Sequence, residues 1–183
     1  MLSPTSPTAD GVVLVLNAGS SSLKFAVFGV PPRAGDPPAP RCAGQVEGIG
    51  TAAPRFAAKG PAGERLAETR WEAGGAPASH AAALGEIIAW LEASGALAGA
   101  RVIAVGHRVV HGGPDFAEPM LIDLGLMAEL QELVPLAPLH QPHNLAGIAA
   151  AAKRFKGVPQ VACFDTAFHR TQSWEAEAYA LPP

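Results

Sequence analysis

The chain has 183 residues, 49% of them apolar and 16% charged, with a formal net charge of −3. That length supports one domain with a real core, and the charge balance argues against a nucleic-acid footprint or a basic membrane surface. No window holds about eighteen uninterrupted apolar residues, Met1 to Asp10 lacks the charged and apolar regions of a secretory signal, and the two cysteines, Cys42 and Cys163, read as buried reduced thiols. The expected setting is the cytoplasm, with neither nucleic acid nor membrane as partner.

In chain order, residues 1–10 read as a disordered polar tail and residues 11–183 as one domain. Val12 to Leu16, five branched apolar residues in a row, predict a strand buried on both faces. Phe25 to Val30 predicts a second strand. Pro31 to Pro40 reads as a stiff exposed connection, and Cys42 to Ile49 as a third strand. Arg55 to Lys59 and Glu64 to Trp71, flanking Gly60-Pro-Ala-Gly63, suggest a hairpin. Ser79 is placed to cap a helix with Leu84, Ile87, Ile88 and Leu91 on its inner face, and Gly95 to stop it. Val102 to Gly106 reads as a central strand. Asp123 would cap a short helix facing inward through Met127, Leu130 and Val134. A third helix is expected from about Pro142, burying Leu145, Ile148, Ala149 and Ala152. Gln160 to Phe164 completes the strands. Early β runs followed by helix–strand alternation predict an α/β fold with a mixed sheet and helices packed on it.

Four stretches carry chemistry. Asn17-Ala-Gly-Ser-Ser-Ser-Leu-Lys24 joins the first two strands. Gly19 permits close backbone approach, the hydroxyls offer donors, and Lys24 suits a phosphate. The spacing is not that of a Walker loop, since no helix follows, and an ordinary Ser-rich turn stays open on residue types alone. Gly106-His107-Arg108-Val-Val-His111-Gly-Gly113 offers a guanidinium just beyond a strand end, fit to clamp a carboxylate or phosphate, or to pair with a surface acid. His107 and His111 straddle that end, which argues against zinc. Pro138-Leu-His140-Gln-Pro-His143-Asn144 opens a helix, where the dipole favours anions. Val161-Ala-Cys-Phe-Asp165 puts an acid at the carboxyl end of a strand, where open sheets bind ligands, although Asp also caps turns.

Taken together, these strings resemble the acetate kinase (acetokinase) family, in the family's own order across residues 12–182. Ala18 and the unbroken Ser20-Ser21-Ser22 favour its acetate/propionate branch over the butyrate kinases. Asn17, where sugar kinases and actin-like ATPases usually carry Asp, argues against those relatives.

What the resemblance implies is a ribonuclease H-like fold of the actin, sugar kinase and Hsp70 superfamily, and magnesium-dependent phosphoryl transfer between ATP and acetate or propionate. Lys24, Ser20 and Ser22 would hold nucleotide phosphates, and Asn17 would serve the metal. Arg108 would hold the substrate carboxylate, with Val110 and Leu139 walling the methyl pocket. His140 would meet the migrating phosphoryl group, and Asp165 would be the catalytic acid. Because acetate is already ionised at neutral pH, Asp165 is better read as orienting magnesium through its water shell than as a base. Gln141 and His143 depart from the family's commonest wording. The resemblance also implies that the chain is the N-terminal half of such an enzyme, that the whole would pair as a homodimer, and that this half alone could be catalytically silent.

Overall fold

The structure is a computed structural model and describes residues 11–72, 75–97, 99–173 and 176. The expected tail at residues 1–10 lies outside the described residues. Eight strands form one sheet: β1 (Gly11–Ala18), β2 (Ser22–Gly29), β3 (Ala39–Glu47), β4 (Arg55–Lys59), β5 (Arg65–Arg70), β6 (Arg101–Val109), β7 (Met120–Leu121) and β8 (Gln160–Phe164). Their spatial order is β5-β4-β3-β2-β1-β6-β8-β7. The first five pair antiparallel, whereas β6 runs parallel to both β1 and β8. The sheet is mixed, as the order of elements predicts.

Among the described residues, three helices, α1 (His80–Ala93), α2 (Leu124–Glu132) and α3 (Gln141–Arg154), lie against one face of this sheet. Alternation along each strand sets which side chains meet them. Val12, Leu14 and Leu16 of β1, with Leu23, Phe25 and Val27 of β2, join Leu84, Ile87, Ile88 and Leu91 of α1 in the main core. A second cluster gathers Val109, Ala162 and Phe164 of the sheet with Leu126, Leu130, Leu145 and Ile148 of α2 and α3. The expectation that β1 is buried on both faces is corrected. Val13 and Val15 are only half-buried, because the described helices all cover the opposite side. Cys163 lies on that bare side and is exposed, whereas Cys42 is buried as expected.

Caps follow the sequence. The Ser79 side chain accepts from Ala82 N at the start of α1, and Asp123 accepts from Leu126 N at the start of α2. Gly95 takes a positive φ of 70° just past α1. Other boundaries move. β3 begins at Ala39, so Pro40 is in a strand. It sits where β3 pairs with β2 alone, since β4 joins only from Ala43, so its missing N–H costs no ladder bond on that side. β6 extends through His107, Arg108 and Val109, which puts His107 and Arg108 inside the strand rather than beyond it. On α3, Ala149 and Ala152 are exposed. The inner stripe is Gln141, Asn144, Leu145, Gly147, Ile148 and Ala151, two polar residues taking places that an apolar pattern leaves blank. Val134 falls just past α2, in a short 3₁₀ turn, and is partly buried.

His107 is 4% exposed, with Nε2 2.7 Å from Gln160 Oε1. The amide oxygen can only accept, so Nε2 carries the proton. Burial pulls this imidazole down to a pKa of about 4, with the Gln160 hydrogen bond opposing. An unfolded chain protonates the same ring near pH ~6.5, so between these values only the unfolded state gains a proton. Stability should therefore fall as pH drops through this window, by about 3 kcal/mol, and level off below it. Urea denaturation at pH 7 and pH 4.5 measures the loss. It should shrink in His107→Gln, whose amide can still donate to Gln160 but cannot titrate.

Candidate active site

Because β1, β6 and β8 are parallel neighbours, their carboxyl ends finish side by side. Leu16 is paired with His107 and faces the helices, so the next residues, Asn17 and Arg108, turn to the other face. Asp165 follows β8 directly, as the first residue of a 3₁₀ segment (Asp165–Thr171). Arg108 is the hub of the three. Its Nε donates to Asp165 Oδ1 at 2.9 Å and its Nη2 to Oδ2 at 2.6 Å, while Nη1 reaches Asn17 Oδ1 at 3.5 Å. The hydrogen bonds to Asp165 hold the guanidinium above even the usual arginine range. The reading of Arg108 as paired to an acid is met, and that acid is Asp165, the other candidate. The side chains are 56% and 36% exposed, so the pair is worth only about 0–1 kcal/mol and is open to competition.

Beside this group lies a cavity of about 200 Å³ lined by Asn17, Ala18, Gly19, Arg108, Val110, His140 and Asn144. One liquid water occupies about 30 Å³, so the space suits a ligand of a few heavy atoms rather than a whole nucleotide. His140 is the residue just before α3; in that helix's first turn Gln141 N donates to Ala137 O, His143 N to His140 O, and Pro142 brings no N–H. Positive charge enters from the guanidinium on one side, and the start of α3 adds the weaker field of its dipole on the other. His143, one turn in, is held below the usual imidazole range, chiefly by burial and then by His80 and His140.

Two residues that the sequence did not single out fix the first turn. Asn144, 6% exposed, donates from Nδ2 to Ala18 O at 2.7 Å and accepts the Val110 N–H on Oδ1 at 3.0 Å. It ties the end of β1 to the end of β6. His80, the first residue of α1, contacts Gly19 O through Nε2 at 2.6 Å. Close packing makes the Asn144 bond possible, since a Cβ placed on Gly147 would come within 3.0 Å of the Ala18 methyl. No periodicity marks Asn144. Its signal is its place on the buried stripe of α3, which depends on knowing which face turns inward.

Other expected site residues stand apart. Lys24 is opposite Asn17 in the β1–β2 ladder, but lines a separate groove of about 350 Å³ with Gln45, Ala57 and Lys59. Ser20 is exposed on the turn and Ser22 is half-buried, and neither lines the cavity. Leu139 is 74% exposed and also lies outside it, whereas Val110 is in the wall. His111 accepts from Gly113 N through Nδ1, and His107 points to Gln160, so these two do not converge.

Magnesium is a hard cation that prefers oxygen ligands and keeps several waters. Asn17 Oδ1 and the Asp165 carboxylate are all-oxygen donors that already share one cation, the guanidinium. That donor set fits. Among the described residues no group of three or more His, Cys, Asp or Glu could hold a metal, so the protein would supply few of the ligands.

A mixed sheet with helices packed on it and polar groups gathered at the ends of its parallel strands is the architecture of the actin, sugar kinase and Hsp70 class. Within it, the chain belongs to the acetokinase family, whose model matches residues 12–183. It is 47% identical to an acetate kinase of Nitrobacter hamburgensis over 171 residues, covering 93% of this chain and 40% of the relative. An acetate kinase of Rhizobium meliloti is 48% identical over 170 residues, with 93% and 41% covered. Among solved structures, the acetate kinase of Porphyromonas gingivalis matches with a TM-score of 0.79 at 34% identity, covering 94% of this chain and 42% of that one. A propionate kinase of Francisella tularensis gives 0.76 at 33%, with 94% and 41% covered. The chain thus spans about two fifths of the length of the relatives it matches.

Asn144→Ala should strand the Ala18 carbonyl and the Val110 amide together. The expected cost is about 2–4 kcal/mol, read as a lower urea midpoint at unchanged slope.

Proposed function

We propose that this chain carries the carboxylate- and phosphoryl-binding side of an acetate kinase-type reaction, ATP + acetate to ADP + acetyl phosphate, in the cytoplasm. The observation that supports it is the meeting of Asn17, Arg108 and His140 around one small cavity, with Asp165 bonded to its arginine. A carboxylate oxygen of acetate attacks the terminal phosphorus of ATP as the bond to the ADP oxygen breaks, and no proton needs to move. Such a transfer asks for positioning and for neutralisation of the phosphoryl oxygens.

The roles follow from chemistry. Arg108 offers a two-pronged fork to a carboxylate, the grip it now gives Asp165. Val110 stands where a short alkyl tail would lie, acetate or propionate alike. His140, at the mouth of α3, faces the phosphoryl oxygens at the positive end of the helix dipole. Lys24, Ser20 and Ser22 serve the rest of the nucleotide along the first turn. Asn17 and Asp165 would hold magnesium, which when bound neutralises phosphate charge. The Asp165 oxygens that would serve magnesium are those Arg108 now holds, and the weakness of that exposed pair leaves the guanidinium able to turn to a substrate carboxylate.

One observation favours a second reading. The acetate kinases it matches are a little over twice as long, so this portion could bind ligands without turnover. Phosphorus NMR of the purified chain with ATP, acetate and magnesium separates the two. Acetyl phosphate growing at an enzymic rate carries the first reading, and ligand binding without product carries the second. Where turnover is seen, Asp165→Asn should raise the magnesium needed for half-maximal rate about tenfold or more. A slower variant with an unchanged magnesium response would remove Asp165 from the metal role.

A further inference from the structure

The turn after β1 is held from beneath by two helices, and the hold has a stereochemical consequence. Ala18 O accepts from Asn144 of α3, and Gly19 O is 2.6 Å from His80 Nε2 of α1. A carbonyl oxygen only accepts, so Nε2 carries the proton and His80 is the donor. The ring is 9% exposed, and the ring of His143 lies across it at 5.3 Å, so its orientation is fixed on two sides. The described peptide bonds are all trans. In a trans peptide the C=O and the following N–H point in opposite directions. With Gly19 O drawn toward α1, the Ser20 N–H is turned away from it. The neighbouring peptide behaves alike, since Ala18 O faces Asn144 while Gly19 N donates to Ser22 O at 2.8 Å. That second amide is used within the turn. The Ser20 amide, turned away from α1, sits beside an exposed Ser20 side chain.

We propose that His80 is a positioning residue: by holding Gly19 O, it aims the Ser20 N–H as a donor for a terminal phosphate oxygen of the nucleotide. The inference rests on the reading of the first turn as the nucleotide-phosphate loop, and adds to it both the backbone donor and the side chain that orients it. Gly19 suits the arrangement, because a Cβ there would come within 2.9 Å of Ser22 Oγ and crowd the turn. An amide fixed before the ligand arrives costs little to order on binding, which is where its affinity originates. His80 itself does not line the cavity, so its effect must pass through the peptide plane.

The full chain, labelled with nitrogen-15, would be titrated with ADP and separately with inorganic phosphate. In the unaltered protein the Ser20 amide resonance should shift in a saturable way. His80→Met, which fills similar space but donates nothing, should weaken ADP binding about tenfold and abolish the Ser20 shift. His80→Gln, whose terminal amide can donate to Gly19 O, should recover affinity to within about threefold and restore the shift. Thermal melting of both variants separates this from a loss of fold. His80→Met should melt somewhat below His80→Gln, because it leaves Gly19 O without its donor, yet both should stay fully folded at the temperature where their binding differs. Equal affinity and an equal Ser20 shift in all three proteins would overturn the proposal. So would a Ser20 resonance that stays still while others between residues 17 and 24 move, which leaves the phosphate-loop reading standing. If no resonance from 17 to 24 responds to either probe, the loop reading falls and this inference falls with it.

Discussion

The parallel pairing of β6 between β1 and β8 is the constraint on which the site depends. Side chains alternate along a strand, so a slip of one residue would reverse every assignment of face. Val105 and Val109 are fully buried beneath the helices, and their neighbours Ala162 and Phe164 on β8 share that side. With those apolar residues committed inward, Arg108 has no choice but to face outward. The same logic turns His107 inward and removes it from the chemistry. The position of the arginine is thus a by-product of hydrophobic burial two residues at a time, and its aim is maintained by residues that touch no ligand.

The ion pair at the mouth gains meaning from being weak. A buried arginine–carboxylate pair would resist separation, because breaking it strands a charge in low dielectric. Arg108 and Asp165 are both partly in water, so either can exchange its partner at small cost. Each takes up hydrogen-bonding groups that the other could offer elsewhere. The pair keeps both side chains in usable rotamers without a deep energetic commitment, a form of pre-organisation that leaves the groups free to separate.

Much of this was readable from the amino acids. The apolar periods of α1 and the strand runs were plain, because burial on one face leaves a direct imprint on sequence. Asn17, Arg108, His140 and Asp165 stood out as polar residues at the ends of such runs, and they do converge. Cys163 and the second face of β1 misled, since five branched residues in a row look the same whether one face or two is covered. Pro40 and the polar end of β6 misled for a related reason: strand pairing, which a single chain segment does not display, decided those boundaries. His80 and Asn144 were illegible because their work is to hold backbone carbonyls more than sixty residues away in sequence. Such a role leaves no local pattern. It becomes visible only when three elements meet.

Gly147 is the plainest sign of how tightly they meet. It lies on the buried stripe of α3, and a Cβ there would approach the Ala18 methyl to 3.0 Å. The helix and the end of β1 are thus spaced by hydrogen atoms alone. Asn144 is less than one turn away and has a short side chain, so its reach is set by that spacing. Enlarging position 147 by one methyl would act as a shim under α3, and the widened gap would appear farther along, between an amide and a carbonyl. The admissible residues at 144 and 147 are therefore one joint choice, and tolerance to variation at the helix is inherited from the loop it steadies.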